Sequence, residues 1–216
     1  MPDAIQLAQH AAAQLLGDPH PLVRQLGSPD ALVSLPLTAS EIRVTDLPSL
    51  RRFLAAYRDE ILVPMELPAI RRAHDHASRQ EVRELLTLDH ELAAEPRLRH
   101  FAAASRAVGR SQLHRLLPMR DLRLVRRYWQ AAEAGEAQAW HVLVYGVVLA
   151  VFALPLRPGL VNYGRQTLGG FIESAAGLLR LKESDAAQLA EDLSGTLPAA
   201  VDTALTARGP LKLLAV

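Results

Sequence analysis

The chain has 216 residues, half of them hydrophobic, 22% charged and 5% aromatic, with 24 basic against 23 acidic side chains and no cysteine. This composition excludes a disordered chain, a binder that relies on a global basic charge to neutralise phosphates, and every site built on thiolates, from disulfides to zinc and iron–sulfur centres. Asp3 stands where a signal peptide carries basic residues, so the expectation is a cytoplasmic globular protein.

In chain order the periodicity is helical. Residues 3–16 form a short Ala-rich amphipathic helix, and from 17 to 45 the chain is punctuated by Pro19, Pro21, Gly27, Pro29 and Pro36, which predicts an irregular segment. Thr45 or Asp46 caps the next helix, with Pro48 in its first turn and Leu47, Leu50, Leu54, Tyr57 and Ile61 on one face. Pro64 and Pro68 bracket the start of another helix, and Ser78 with Glu81 makes a capping-box pair that starts a further one at Arg79. Pro96 opens a long helix to about Leu117, with Leu98, Phe101, Ala102, Ser105, Val108, Gly109, Gln112 and Leu116 facing inward and small residues at 102, 105 and 109 that admit a neighbouring backbone. A helix over 121–134 stops at Gly135, read as a left-handed C-terminal residue. After an apolar run, a Pro-Gly break at 158–159 precedes a Gly-rich helix, then a short helix capped by Ser184, then a last one near 197–207. No repeat or linker divides the chain. The fold class is all-α, a single-domain helical bundle of roughly eight to ten helices over 1–216, with 1–25 and 208–216 as flexible ends.

Residues 139–156, AWHVLVYGVVLAVFALPL, hold 18 positions without a formal charge, close to the length that spans a bilayer. His141, Tyr145, Gly146 and Pro155, with a mean hydropathy of +0.07, favour a helix buried on all sides inside an all-helical domain. A membrane-associated protein using 139–156 stays as one alternative. His74-Asp75-His76 has the look of a ligand cluster, but helical residues two apart point about 200° apart. Glu-x-x-His does not occur and His90-Glu91 lacks a second histidine at 94, so no metal site is expected. Gly170 and Ser174 have the wrong spacing for a nucleophile elbow, and Lys182 and Lys212 follow no glycine-rich phosphate loop. A helical enzyme with an unrecognised site of histidines and carboxylates is the other alternative. Arg106, Arg110 and His114 recur at four-residue steps, flanked by Arg99 and Arg115, a basic stripe that reads first as the solvated face of an amphipathic helix and second as a grip for an acidic partner. His141, Tyr145 and Tyr163 read as core residues whose polar ends need partners.

Several short motifs occur together in order: Glu66-Leu67-Pro68 followed by RRAH, Leu88-Asp89, Ala104-Ser105-Arg106 with Gly109-Arg110, Gly135 with His141 and Tyr145-Gly146, and Tyr163 with Ser174-Ala175-Ala176. In that order they resemble the UreF family of urease accessory proteins, over about residues 26–205. The chain keeps Ser28-Pro29 and Glu41 but reads ALVSLPLTAS between them, without the family's glycines. After Ser-Ala-Ala it continues Gly177-Leu-Leu-Arg in place of the family's Pro-Leu-Gly-Gln step, and GPLKLLAV stands where the family has a basic, aromatic tail.

The resemblance implies a symmetric dimer acting as an adaptor and not as an enzyme. It implies binding to the UreD/UreH-type accessory protein and recruitment of the nickel-carrying UreG-type GTPase to the urease apoprotein. Nickel is then handled by the complex, with no cofactor, nucleic acid or membrane assigned to this chain. The residues placed on the docking surface are Glu66, Arg106, Arg110 and Tyr163, while Ser105, Gly109, His141, Tyr145, Gly146 and Ser174 support the motifs and the core.

Overall fold

A computed structural model describes residues 4–21, 23, 43–118 and 122–206. Ser28, Pro29, Glu41, Asp121 and the C-terminal GPLKLLAV lie outside the described residues. The chain packs as two compact units, one of residues 1–18 and 69–159, the other of 19–68 and 160–216. The described residues are helical with no strand, so the fold class is all-α.

The first unit contains α1 (Ala4–Leu16), most of α3 (Leu67–Ser78), α4 (Val82–Ala94), a 3₁₀ turn (Pro96–Phe101), α5 (Ala102–Leu116), α6 (Arg123–Glu133) and α7 (His141–Val151). Its centre is α7, where every residue from His141 to Leu149 is buried. This is the uncharged run of the sequence, and it is apolar all round because protein surrounds it. No helix among the described residues is long and apolar enough to cross a membrane. Gly146 allows α3 to cross α7 closely, since a Cβ there would lie 2.4 Å from the Ile70 carbonyl oxygen. The Tyr145 hydroxyl donates to the Gly159 carbonyl at 3.1 Å.

The second unit contains α2 (Leu47–Tyr57), a π-helical stretch (Arg58–Glu66), most of α8 (Leu156–Leu179), α9 (Glu183–Gly195) and α10 (Leu197–Thr206). Asp46 caps α2, accepting from the Ser49 amide at 2.8 Å while the Ser49 hydroxyl accepts from the Asp46 amide. The core packs Tyr57, Tyr163 and Phe171 around the His20 ring and Phe53 against Phe171, with edge-to-face contacts such as Tyr57–Phe171 at 5.0 Å and His20–Phe171 at 5.5 Å. Such pairs contribute about 1 kcal/mol each beyond area burial.

Three sequence expectations give way to backbone physics. Pro64 does not break the helix. The backbone widens to π geometry from Arg58 to Glu66, and the Leu67 amide reaches back five residues to the Leu62 carbonyl. The wider turn makes room for a ring that would strike the carbonyl four residues earlier in an α-helix. Ser78 does not cap a new helix either. It ends α3, and Gln80 turns left-handed at φ 59° while the Glu81 and Gln80 amides bond the carbonyls of His76 and Ala77. Those carbonyls were orphaned by the end of α3, and satisfying them sets the turn. The break expected at 158–159 falls earlier, at Ala153 with φ 51°. Pro158 sits in the first turn of α8, where its missing N–H costs nothing.

Candidate docking surface

The loop 134–140, between α6 and α7 in the first unit, is held by side chains from three helices. It opens with Gly135 at φ 77°, whose amide and that of Glu136 satisfy the carbonyls of Ala132 and Ala131. Asp89 on α4 is fully buried and accepts three bonds: from the Gln138 amide at 2.6 Å, the Ala139 amide at 2.9 Å and the Tyr128 hydroxyl at 2.7 Å. Burial raises the Tyr128 phenol well above its ordinary pKa, and the Asp89 charge and the hydrogen bond to it add to the shift. Ala139 stands at φ 56°, a left-handed conformation costing about 1–2 kcal/mol in a residue with a Cβ.

Helix α5 supplies the other side. Gly109 lies under the loop so closely that a Cβ would come 1.9 Å from the Ala139 carbonyl oxygen. The Ser105 hydroxyl accepts from the His141 amide at 3.1 Å, satisfying one of the N–H groups that the start of α7 leaves open. Gln112 is fully buried; its amide nitrogen donates to the Leu15 carbonyl at 2.7 Å, which orients its oxygen toward His141 Nδ1 at 3.0 Å. That assignment makes Nδ1 the protonated nitrogen of His141.

Around this core the surface is polar. Arg106 is exposed and donates to Gln138 Oε1 at 2.7 Å. Arg110 is half-buried and donates to the Ala132 carbonyl in the last turn of α6, where a cation complements the helix dipole. His90 Nε2 donates to the Glu136 carbonyl at 2.6 Å. Most of the buried polar groups here bond the loop backbone or each other, Gln112 also bonds the Leu15 carbonyl on α1, and the Trp140 indole N–H is buried without a partner among the described residues. The arrangement fixes a shape.

The basic stripe is thus divided. Arg106 is accessible, Arg110 ties α5 to α6, and His114 packs its ring against Trp129 at 5.3 Å. Arg115 pairs with Asp18.

Two residues expected on the docking surface are interior. Glu66 is 2% exposed; it accepts from the Tyr57 hydroxyl at 2.7 Å and lies 3.0 Å from His20 Nε2. Tyr163 is also 2% exposed, within the aromatic cluster of the second unit. A carboxylate that leaves water needs such partners, and those of Glu66 hold Tyr57 and His20 in the core. Burial and the Glu66 charge together hold the Tyr57 hydroxyl well above its ordinary pKa. Ser174 is half-buried on α8.

Sequence reasoning did not single out Asp89 for this role. The signal was an acid at a core register position of α4, beside the buried Leu85, Leu88 and Leu92. A charged residue on an apolar stripe implies buried donors waiting for it.

Comparison with known proteins agrees with the order of motifs. A family model described as UreF matches residues 44–194, a span that contains the whole loop and its three supporting helices. No curated protein matches the chain.

Proposed function

The chain belongs to the UreF family, and so to the urease accessory proteins, and from that premise we propose that it acts as an adaptor in nickel insertion. In this reading it binds the UreD/UreH-type accessory protein and recruits the nickel-carrying UreG-type GTPase to the urease apoprotein. The family match over 44–194 carries the reading.

The physical advantage is effective concentration. Holding a metal carrier beside its target turns a bimolecular meeting into a nearly intramolecular one. An adaptor needs rigid, shaped surfaces and no reacting group, which suits the loop 134–140, whose backbone is held by Asp89 and His90 and, at the start of α7, by Ser105. Tyr57 and Tyr128, whose hydroxyls are strongly perturbed, are fully buried. They support packing and not an enzymatic site. The reading further includes a homodimer, which would present each docking surface twice, a cytoplasmic location, nickel handled by the complex with no cofactor on this chain, and no nucleic-acid or membrane partner.

The docking role of the loop is tested with Arg106→Ala combined with Arg110→Ala. The wild-type chain is expected to capture the purified UreD/UreH-type protein and, through it, the UreG-type GTPase. Truncating Arg106 removes an exposed donor at the loop rim, and truncating Arg110 frees the end of α6. Together they are expected to weaken capture about tenfold, the equivalent of about 1.4 kcal/mol. Unchanged capture by a folded double variant would remove the loop rim from the interface.

A further inference from the structure

A groove between α4 and α6 carries three arginines with no ion pair among the described residues. It opens over about 500 Å³ lined by Val82, Arg83, Leu86, Arg127, Ala131 and Glu136, among others. An adjoining opening of about 410 Å³ shares Val82, Arg83 and Arg127 and adds Arg123 and Glu84. Arg83, Arg123 and Arg127 are exposed, and none makes an ion pair with another described residue. Of the acids nearby, Glu81 is already committed. Glu81 is bonded by Arg79 at 2.8 Å and His76 at 2.8 Å, which hold its carboxyl down to about 2. Glu84 and Glu136 line the openings and make no ion pair among the described residues, so the lining holds three arginines against two free acids.

Helix α6 is built against its own electrostatics. It starts with Arg123, places Arg126 and Arg127 in the next turn, has no acid in its first turn, and its N-cap residue Leu122 makes no side-chain cap bond. Cations at a helix N-terminus oppose its dipole, where acids would reinforce it. Among the described residues no cap or first-turn acid offsets these cations, a broken local rule that points to compensation from a partner.

We propose that this groove docks an acidic, amphipathic segment of a protein partner, with carboxylates meeting Arg83, Arg123 and Arg127 and an apolar side chain seated on Val82, Leu86 and Ala131. The inference rests on the adaptor reading for the partner's membership of the maturation machinery. Guanidinium forks suit carboxylates in paired geometry. The apolar floor calls for side chains that a phosphate backbone lacks, and Glu84 and Glu136 in the lining would repel a continuous polyanion. With a net charge of +1 for the whole chain, the attraction is local and directed to one segment.

The test measures binding of the full-length chain to three purified probes, the UreD/UreH-type protein, the UreG-type GTPase and apo-urease, at low and at 0.5 M salt (about a 4 Å screening length). Arg83→Glu with Arg127→Glu is expected to weaken binding to one of the three at least about tenfold, to leave the other two within about twofold, and to flatten the salt dependence of the affected one. Arg83→Lys with Arg127→Lys keeps the charge and is expected to retain most of the binding. A second measurement does not depend on charge reversal. The chain has no cysteine, so Gln130→Cys places one photo-crosslinker in the groove, and it is expected to label an acidic segment of that same partner. If the wild type binds and the reversed variant binds all three probes equally well, or if the crosslinker labels a basic segment or nothing, the groove is not the docking site and the adaptor reading stands. A wild-type chain that binds none of the three overturns both.

Discussion

Asp89→Ala is expected to destabilise the first unit by about 4 kcal/mol, because three donors lose their acceptor at once. The amides of Gln138 and Ala139 and the Tyr128 hydroxyl all point at this carboxylate. Leaving a buried donor unsatisfied costs about 1–3 kcal/mol, and Gln138 is the one partner with partial access to water. Asp89→Asn keeps one acceptor oxygen but turns an NH₂ group toward one of the donors, so about half of that loss is expected. At this chain length a loss of 4 kcal/mol corresponds to a fall in Tm of roughly 8–16 °C. The loop is affected most directly, since Ala139 holds its left-handed conformation with its amide on Asp89. Both tryptophans, Trp129 and Trp140, lie in the first unit, so intrinsic fluorescence follows this transition selectively. A denaturation midpoint unchanged in Asp89→Ala would show that the carboxylate does not organise the loop.

Gly109→Ala is the second large effect, and it comes from one added methyl group. The new Cβ would sit 1.9 Å from the Ala139 carbonyl oxygen, 2.9 Å from the His141 amide nitrogen and 3.0 Å from the Trp140 carbonyl carbon. All three contacts are backbone, so no side chain can swing aside. Helix α5 and the start of α7 must move apart, breaking the Ser105 bond to the His141 amide, at a cost of about 3 kcal/mol or more. Gly169 provides the internal control. It lies inside α8, and a Cβ there would meet nothing within 4 Å, so Gly169→Ala is expected to stabilise the second unit by about 0.5–1 kcal/mol through helix propensity alone. Thermal unfolding by circular dichroism for Gly169→Ala and by fluorescence for Gly109→Ala checks the opposite signs. Equal effects would mean that helix propensity, and not the close approach, governs position 109.

What the sequence made legible follows the physics that is local. The uncharged run at 139–156 contains the helix that is buried on every side, and Gly135 ends α6 in the left-handed turn its position implied. Small residues at 105 and 109 announced a close approach, and Gly109 makes one. Features that depend on distant partners were hidden. Pro64 reads as a breaker until the helix is free to widen around it, and Ser78 with Glu81 reads as a cap until the carbonyls ending α3 claim the turn. Glu66 carried a motif match and a charge, both of which suggested a surface. The bond it accepts from Tyr57 and its contact with His20, nine and 46 positions away, are invisible to any local pattern. Asp89 was legible only as a violation of the apolar register, and the loop it holds became visible when α4, α5 and α6 were seen together.

The adaptor reading is tested most directly by the nickel content of urease purified from cells that carry or lack this chain, with the other accessory proteins present in both. The account predicts urease protein in equal amount but with several-fold less nickel when the chain is missing, restored by the wild type and not by a folded Arg106→Ala, Arg110→Ala variant. Urease fully loaded with nickel in the absence of the chain would contradict it.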